Sequence, residues 1–384
     1  MANTIVAYDR PSDVDVVMSI VRPKPTVGLG NLLIINQLLS TPTQSGSDNT
    51  SAPADQATTS SDTITQKERL DGLISRKTDT ATGAVYREYS SVDGVKVDYS
   101  DNEDVLAKAE AYFAQDNHSD RVAVLDVPNG KEQDALGAFW FFNWTFAVRA
   151  KSDDQQSELT LLSNIFEANK DHFLVIQTND VSALVGLQGQ NYTIGLKHDT
   201  AEAMDAAFVG AIATLPVGSV TWKFKTLNGI TPESLTATEL VGINKVNAVA
   251  YTTVFGKDQT TEGKTLSGEY IDTIHGIIWV KSNMESAMEK LLQDNDKVPY
   301  NQAGINLVLG AATQVLNKAY EQGIIQADAN GKADFTISAA PREQQSAQEL
   351  SNRHYGGLSF AYHASGAVHT LTVHGTVNSD TILQ

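Results

Sequence analysis

The chain has 384 residues, no cysteine and a formal net charge of −18 at pH 7. This length predicts two or three domains with an ample hydrophobic core, and the lack of cysteine excludes disulfides, thiolate metal sites and thiol nucleophiles. The acidic balance argues against a nucleic-acid surface and against adhesion to anionic lipid, because both require clustered Lys and Arg. The N-terminal sequence has no secretory signal pattern, so we expect the protein to fold in a cytoplasm.

The first third of the chain combines strand-forming segments with a long polar stretch. Residues 14–21 (VDVVMSIV) are rich in β-branched side chains and end before Pro23, which predicts an extended strand. Residues 32–35 predict a buried strand. Residues 40–69 contain one large apolar side chain, Ile64, among Ser, Thr, Asp and Gln. Such a composition cannot offset the entropy of ordering, so it predicts a flexible insertion on the exterior.

Strand and helix patterns alternate between residues 84 and 230. Strands are predicted at residues 121–127, 173–177 and 192–196. One helix is predicted to start at Ser100, which has capping-box spacing with Glu103, and another covers residues 201–214. This alternation predicts an α/β sandwich whose sheet is partly parallel.

The pattern changes after Gly229. A strand at residues 248–254 is followed by a predicted polar turn at 257–264 and then by two amphipathic helical stripes. The second helix is predicted to end at Gly323, which suits a C-terminal cap. Residues 358–362 and 367–377 have strand patterns, and we call residues 367–384 the C-terminal arm.

We therefore predict a mixed α/β fold with four regions. Residues 1–36 form an N-terminal strand arm and the first core strand, and residues 37–83 form the flexible insertion. Residues 84–230 form the α/β sandwich, or middle domain. Residues 231–384 form a core domain, shared with the N-terminal region, from which the C-terminal arm extends as a strand.

Several short strings resemble catalytic or binding motifs but lack a required residue. Gly28-Leu29-Gly30 begins a dinucleotide fingerprint, but Leu33 replaces its third glycine. Gly263-Lys264-Thr265 ends like a phosphate loop, but Asp258 occupies the place of the first glycine.

The acidic and histidine pairs are equally incomplete. The Asp294–Asp296 pair starts like a calcium loop, but Val298 offers no side-chain oxygen. His369 and His374 are an odd number of residues apart on a predicted strand and so face opposite sides. A hydrolase using His198 and Asp199 would need a nucleophile that the sequence does not supply. The sequence therefore predicts no catalytic residue, no cofactor site and no metal site.

One aromatic run has two interpretations. It could stack sugars or bases, or it could pack in the core, which the neighbouring predicted core segments favour. A carbohydrate-binding surface module remains an alternative function on this ground. The run consists of Phe139, Trp140, Phe141, Phe142, Trp144 and Phe146.

The order of segments in the second half resembles that of contractile phage tail sheath proteins. SVTWKFKT (residues 219–226) is followed by EGKTLSGEYIDTIHGIIW (262–279) and KVPYNQAGI (297–305). VGLGNLLIIN (27–36) resembles the first core strand of that family. His275 and Gly276 depart from the family, which would have less flexible residues there.

The resemblance implies a structural subunit that polymerises with copies of itself into stacked six-fold rings and a helical sheath around an inner tail tube. Further implied partners are baseplate and tail terminator proteins, but no nucleic acid or membrane. Contraction would drive the tube through the host envelope, from a virion tail assembled in the host bacterial cytoplasm. A phage-tail-like bacteriocin or a secretion-system sheath remains an alternative.

In that family, extended terminal strands join neighbouring subunits by β-augmentation. We therefore predict that the strand-forming residues near both chain ends link subunits to one another. These predicted inter-subunit residues are Val14, Val16, Val17, Ile20, Val21, Val368, Leu371, Val373 and Val377.

Overall fold

The structure is a computed structural model that describes residues 29–38, 62–151 and 156–375. Its strands are β1 (Leu32–Leu38), β2 (Leu73–Thr78), β3 (Val85–Tyr89), β4 (Val122–Pro128), β5 (Phe146–Arg149), β6 (Phe173–Thr178), β7 (Thr193–Lys197), β8 (Val249–Val254), β9 (Lys257–Thr260), β10 (Phe335–Ala339) and β11 (Leu358–Tyr362). Its α-helices are α1 (Gln66–Leu70), α2 (Val92–Tyr99), α3 (Glu103–Phe113), α4 (Glu132–Phe139), α5 (Gln156–Asn169), α6 (Met204–Gly210), α7 (Ala237–Lys245), α8 (Ile271–Gln293), α9 (Gln302–Glu321) and α10 (Ala347–Ser351).

A nine-stranded mixed sheet forms the larger part of the fold. Its strand order is β2-β3-β4-β1-β5-β6-β7-β8-β9. The strands from β4 to β8 in this order run parallel, whereas β2, β3 and β9 pair antiparallel with their neighbours. The predicted mixed α/β class, with a partly parallel sheet, is confirmed.

Strand β1 lies near the centre of this sheet, between β4 and β5. Its residues 32–35 are buried, as predicted, because a central parallel strand is covered on both faces. The sheet also includes β8 and β9, which lie beyond residue 231. Segments from all four predicted regions therefore contribute to one sheet, and the first core strand belongs to the middle domain's sheet.

Part of the predicted flexible insertion is ordered, and the prediction is corrected there. Residues 62–83 include α1 and β2, and β2 pairs with β3 from Leu73↔Tyr89 onward. A capping box between Thr65 and Glu68 starts α1, and Glu68 forms an ion pair with Arg76 at 2.6 Å. The prediction rested on the average composition of residues 40–69, which did not indicate the capping box or the ion pair.

A second, smaller core lies between α8, α9 and the two-stranded sheet of β10 and β11. Trp279 and Met284 of α8 pack there against Leu316 of α9. Gly304, in the first turn of α9, has no room for a side chain, because a Cβ atom there would lie 1.9 Å from the carbonyl oxygen of Pro299. The predicted cap at Gly323 is confirmed by its φ of +82°.

Three local predictions differ from the structure. The N-cap of α3 is Asn102, which accepts from the Val105 amide, and not Ser100. Residues 257–260 of the predicted polar turn form β9. The turn lies earlier, at Phe255 and Gly256, whose φ values of +49° and +78° suit a two-residue hairpin turn. A phenylalanine at positive φ is uncommon, which is why the pattern did not indicate a turn there.

Candidate assembly surface

The two-stranded sheet of β10 and β11 has one half-buried face, which packs on the smaller core, and one exposed face. Phe335 and Ile337 of β10 and Leu358 and Tyr362 of β11 pack against the smaller core. The register pairs Phe335 with Tyr362 and Ala339 with Leu358. This alternation of apolar and polar positions is typical of a strand pair that covers a core on one side. Burial raises the pKa of Tyr362, so its hydroxyl stays neutral.

The hydrogen bonds at both ends of this strand pair show which main-chain groups point outward. The Ala340 amide donates to the Gly357 carbonyl at 2.8 Å, and the His363 amide donates to the Asp334 carbonyl at 3.1 Å. Bonded pairs alternate in an antiparallel ladder. The amides and carbonyls of residues 335, 337 and 339 and of residues 358, 360 and 362 therefore point away from the partner strand.

Both outer edges of this sheet are open within the described part of the chain. The sheet has two strands only, so neither β10 nor β11 pairs with a third strand along these positions. Phe360 on β11 is also 40% exposed, which is unusual for a phenylalanine in a strand. An open strand edge is a template for another extended segment.

The chain leaves β11 along a well-defined path and then becomes exposed. The Ser365 amide donates to the Ile324 carbonyl at 2.9 Å, and Ala364 forms an isolated bridge with Ile325. Beyond this point Val368, Leu371 and Val373 are 71%, 85% and 89% exposed. Three predicted inter-subunit residues thus present apolar side chains to solvent.

Six of the predicted inter-subunit residues lie outside the described residues. They are Val377 and, in the N-terminal segment, Val14, Val16, Val17, Ile20 and Val21. In the described part of the C-terminal arm, residues 367–375, no strand forms. The predicted strand is therefore corrected for these residues, which have no strand partner in this chain, and the role of the arm in linking subunits stays a prediction.

The aromatic run lies in the core and offers little ring surface to a ligand. Trp140 and Phe146 are fully buried and Trp144 is 2% exposed. Trp140 and Trp144 pack edge-on at a centroid distance of 5.4 Å. This burial supports the packing interpretation over a platform for sugars.

The rejected motif residues have structural roles. Gly30 has no room for a side chain, since a Cβ atom would lie 2.2 Å from the Ala213 Cα atom. His198 is buried, and its Nε2 lies 3.0 Å from Oε2 of the half-buried Glu202. His275 and Gly276, which depart from the family pattern, are both buried in α8. Among the described residues, no helix is long and apolar enough to cross a membrane.

Residues 271–377, which hold α8, α9, β10, β11 and the start of the C-terminal arm, match a family model described as "E217 tail sheath protein gp31-like, C-terminal domain". We call residues 271–377 the sheath domain after this family model. The resemblance to contractile tail sheath proteins is therefore confirmed. The open strand edges belong to this sheath domain, as does the exposed segment that follows them.

Solved structures of contractile machines share the fold of the whole chain, beyond the sheath domain. A sheath complex of an extracellular contractile injection system, PVC, in the contracted state is 12% identical with a TM-score of 0.61, covering 98% of this chain and 99% of its own. The contracted helical sheath of the anti-feeding prophage is 11% identical with a TM-score of 0.56, covering 98% and 100%. A chain from the baseplate of the anti-feeding prophage is 13% identical with a TM-score of 0.59, covering 94% and 98%. No curated protein matches the chain.

The sequence did not indicate the open edges of the sheath domain. The alternation of Phe335 with Ile337, and of Leu358 with Phe360 and Tyr362, is a usable strand signal. Whether a strand edge is open depends on which other segments pair with it, and periodicity carries no information about that.

Proposed function

We propose that this protein is the sheath subunit of a contractile tail or tail-like machine and that it polymerises by strand exchange. The observation that carries the proposal is the two-stranded sheet of the sheath domain, which has an open edge on β10 and another on β11. The fold shared with sheath structures supports the same function.

The sheath domain and the chain ends complement each other. The domain offers two open edges, and the chain has strand-forming segments at residues 14–21 and 367–377. A strand from each of two neighbours would convert the two-stranded sheet into a four-stranded one. Main-chain hydrogen bonds would hold such a joint regardless of side-chain identity, so it could persist while subunits rotate.

The proposed polymer is a stack of six-fold rings around an inner tail tube, with baseplate and terminator proteins at its ends. Contraction would use no nucleotide. Subunits held in the extended state would gain new interfaces as they contract, and each additional 100 Å² of apolar burial contributes about 2.5 kcal/mol per subunit. Summed over a tail, this free energy would drive the tube through the envelope.

Two kinds of machine fit this proposal. The relatives in injection systems support a tail-like device, and the family model supports a phage tail in the virion. Both use the chain in the same way, as a mechanical subunit. The genes beside this one distinguish them, because genome-packaging and capsid genes accompany a phage tail only.

Negative-stain electron microscopy of the purified full-length chain tests the proposal. We expect tubes or rings with six-fold symmetry when the protein is concentrated or supplied with its inner tube. A protein that stays monomeric under both conditions would contradict a sheath function.

A further inference from the structure

The first part of the C-terminal arm docks on its own subunit through His369. The Nε2 atom of His369 lies 2.7 Å from Thr221 Oγ1, close enough for a hydrogen bond. The ring packs edge-on against Tyr270 at a centroid distance of 4.7 Å and lies near Phe224 at 6.2 Å. We call Thr221, Phe224 and Tyr270 the His369 seat.

The seat belongs to the part of the chain that precedes the sheath domain. Thr221 and Phe224 lie in the SVTWKFKT segment, and Tyr270 is the N-cap residue of α8. His369 therefore fixes the arm to its own subunit, on residues that lie outside β10 and β11. Beyond this contact, Leu371 and Val373 of the described arm are almost fully exposed.

The docked arm is held weakly. A cavity of about 100 Å³ lies beneath residues 364–367, with Thr221, Asp272 and Thr273 among its lining residues. Such a volume has room for several water molecules. The second ring nitrogen of His369, Nδ1, is buried and has no hydrogen-bond partner among the described residues. An unsatisfied buried nitrogen makes the docked state less stable than a fully bonded one.

Burial of the ring in the seat favours the neutral imidazole. Burial is the main cause that lowers the pKa of His369, and Lys223 and Lys264 act in the same direction. Asp272 and Glu262 oppose them. A neutral ring can share one hydrogen bond with a hydroxyl and pack on an aromatic edge, which is the arrangement observed.

Docking through His369 and strand exchange exclude each other at this position. The segment predicted to join a neighbour, residues 367–377, includes His369 at its third residue. A strand that pairs with a neighbour over its full length must withdraw this ring from the seat. The same residues therefore have one partner within the subunit and another between subunits.

We propose that the His369 seat is an autoinhibitory latch, which keeps the C-terminal arm on its own subunit until a neighbour offers a strand edge. The proposal rests on the proposed function, because it assumes assembly through the arm. A subunit with an exposed arm and two open edges would otherwise pair with any copy it meets. A weak latch delays this pairing without preventing it.

Two variants and one control test the latch. H369A removes the ring, and T221V removes the hydrogen-bonding hydroxyl from the opposite side of the contact. H374A makes the same chemical change at an exposed histidine of the arm and serves as the control. Hydrogen exchange of residues 363–369 in the unassembled protein reports docking, and light scattering with electron microscopy reports the rate of tube formation.

We expect H369A, which loses the hydrogen bond and the ring contact, to speed exchange in residues 363–369 about tenfold, and T221V, which loses the hydrogen bond alone, to speed it by a smaller factor. Both variants should form tubes sooner and at lower concentration than the wild type, and H374A should behave as the wild type. Unchanged exchange, or tube formation as slow as or slower than that of the wild type, would overturn the latch. If the wild type forms no tubes at all, it is the sheath function itself that fails.

Discussion

His275 in α8 lies 3.2 Å, through Nε2, from the carbonyl oxygen of Leu29, which is 246 residues earlier in the chain. Since a carbonyl only accepts, Nε2 carries the proton in this hydrogen bond. The ring also packs edge-on against Phe146 at a centroid distance of 5.3 Å. The first helix of the sheath domain is thereby fixed to the segment that enters β1 at the centre of the large sheet. Both cores are joined at this point.

The buried His275 should make the protein sensitive to acid. Burial lowers its pKa to about 4, so the ring is neutral in the folded state. Its unfolded pKa is about 6.5, so the stabilisation is complete above that value and declines as the pH falls toward 4. The loss amounts to about 3 kcal/mol across that interval. Urea unfolding at pH 7 and at pH 4.5 measures it.

The variant H275Q isolates this contribution, because glutamine keeps an N–H donor and does not titrate. We expect H275Q to lose much less stability than the wild type between the two pH values. H374Q changes an exposed histidine and should leave the wild-type pH dependence intact. An H275Q protein with the full wild-type pH dependence would show that other groups cause the acid sensitivity.

Because an ion pair is buried between α3 and α6, we expect the removal of one charge to lower the free energy of unfolding much more than the removal of both. Lys108 Nζ lies 2.8 Å and 2.7 Å from the two carboxylate oxygens of Asp205, and the two side chains are 5% and 2% exposed. K108M leaves the carboxylate buried without its cation and should reduce the free energy of unfolding by about 3–5 kcal/mol. K108M/D205L removes both charges and should recover most of that loss. Chemical denaturation checks both, and equal stability of the two variants would refute the interpretation.

The open edge of β11 can be blocked without removing a hydrogen bond within the subunit. The amide of Phe360 points away from β10, so F360P removes an outward donor and keeps the β10–β11 ladder. F360A loses the same ring but retains the amide. We expect both variants to fold, F360A to form tubes, and F360P to form them slowly or not at all. Sedimentation of polymer from soluble subunits provides the measurement, and equal polymer yields would exclude this edge from assembly.

The sequence predicted local structure well and the relationship between distant segments poorly. The apolar run at residues 32–35 identified a buried strand, and the stripe from Ile305 to Ala319 identified α9. The central position of β1 depends on parallel pairing with β4 and β5, which are far away in the chain. Such pairings leave no periodic signal in either partner.

In the candidate assembly surface, too, the sequence indicates local structure but not the contacts between distant segments. The strand-forming pattern of residues 358–362 is visible in the sequence, and the exposure of Val368, Leu371 and Val373 fits their predicted role. The open edges and the docking of His369 are properties of the folded chain. No pattern of residues near position 369 indicates Thr221 or Tyr270 as partners, because they lie about 100 residues or more away.

Deletion of the C-terminal arm tests the central claim, assembly by strand exchange, most directly. A chain lacking residues 367–384 retains β10 and β11 and the contacts of both cores, so we expect it to fold as the full-length chain does. Negative-stain electron microscopy of the two proteins side by side should show tubes or rings for the full-length chain and single subunits for the shortened one. Normal tubes from the shortened chain would contradict the account.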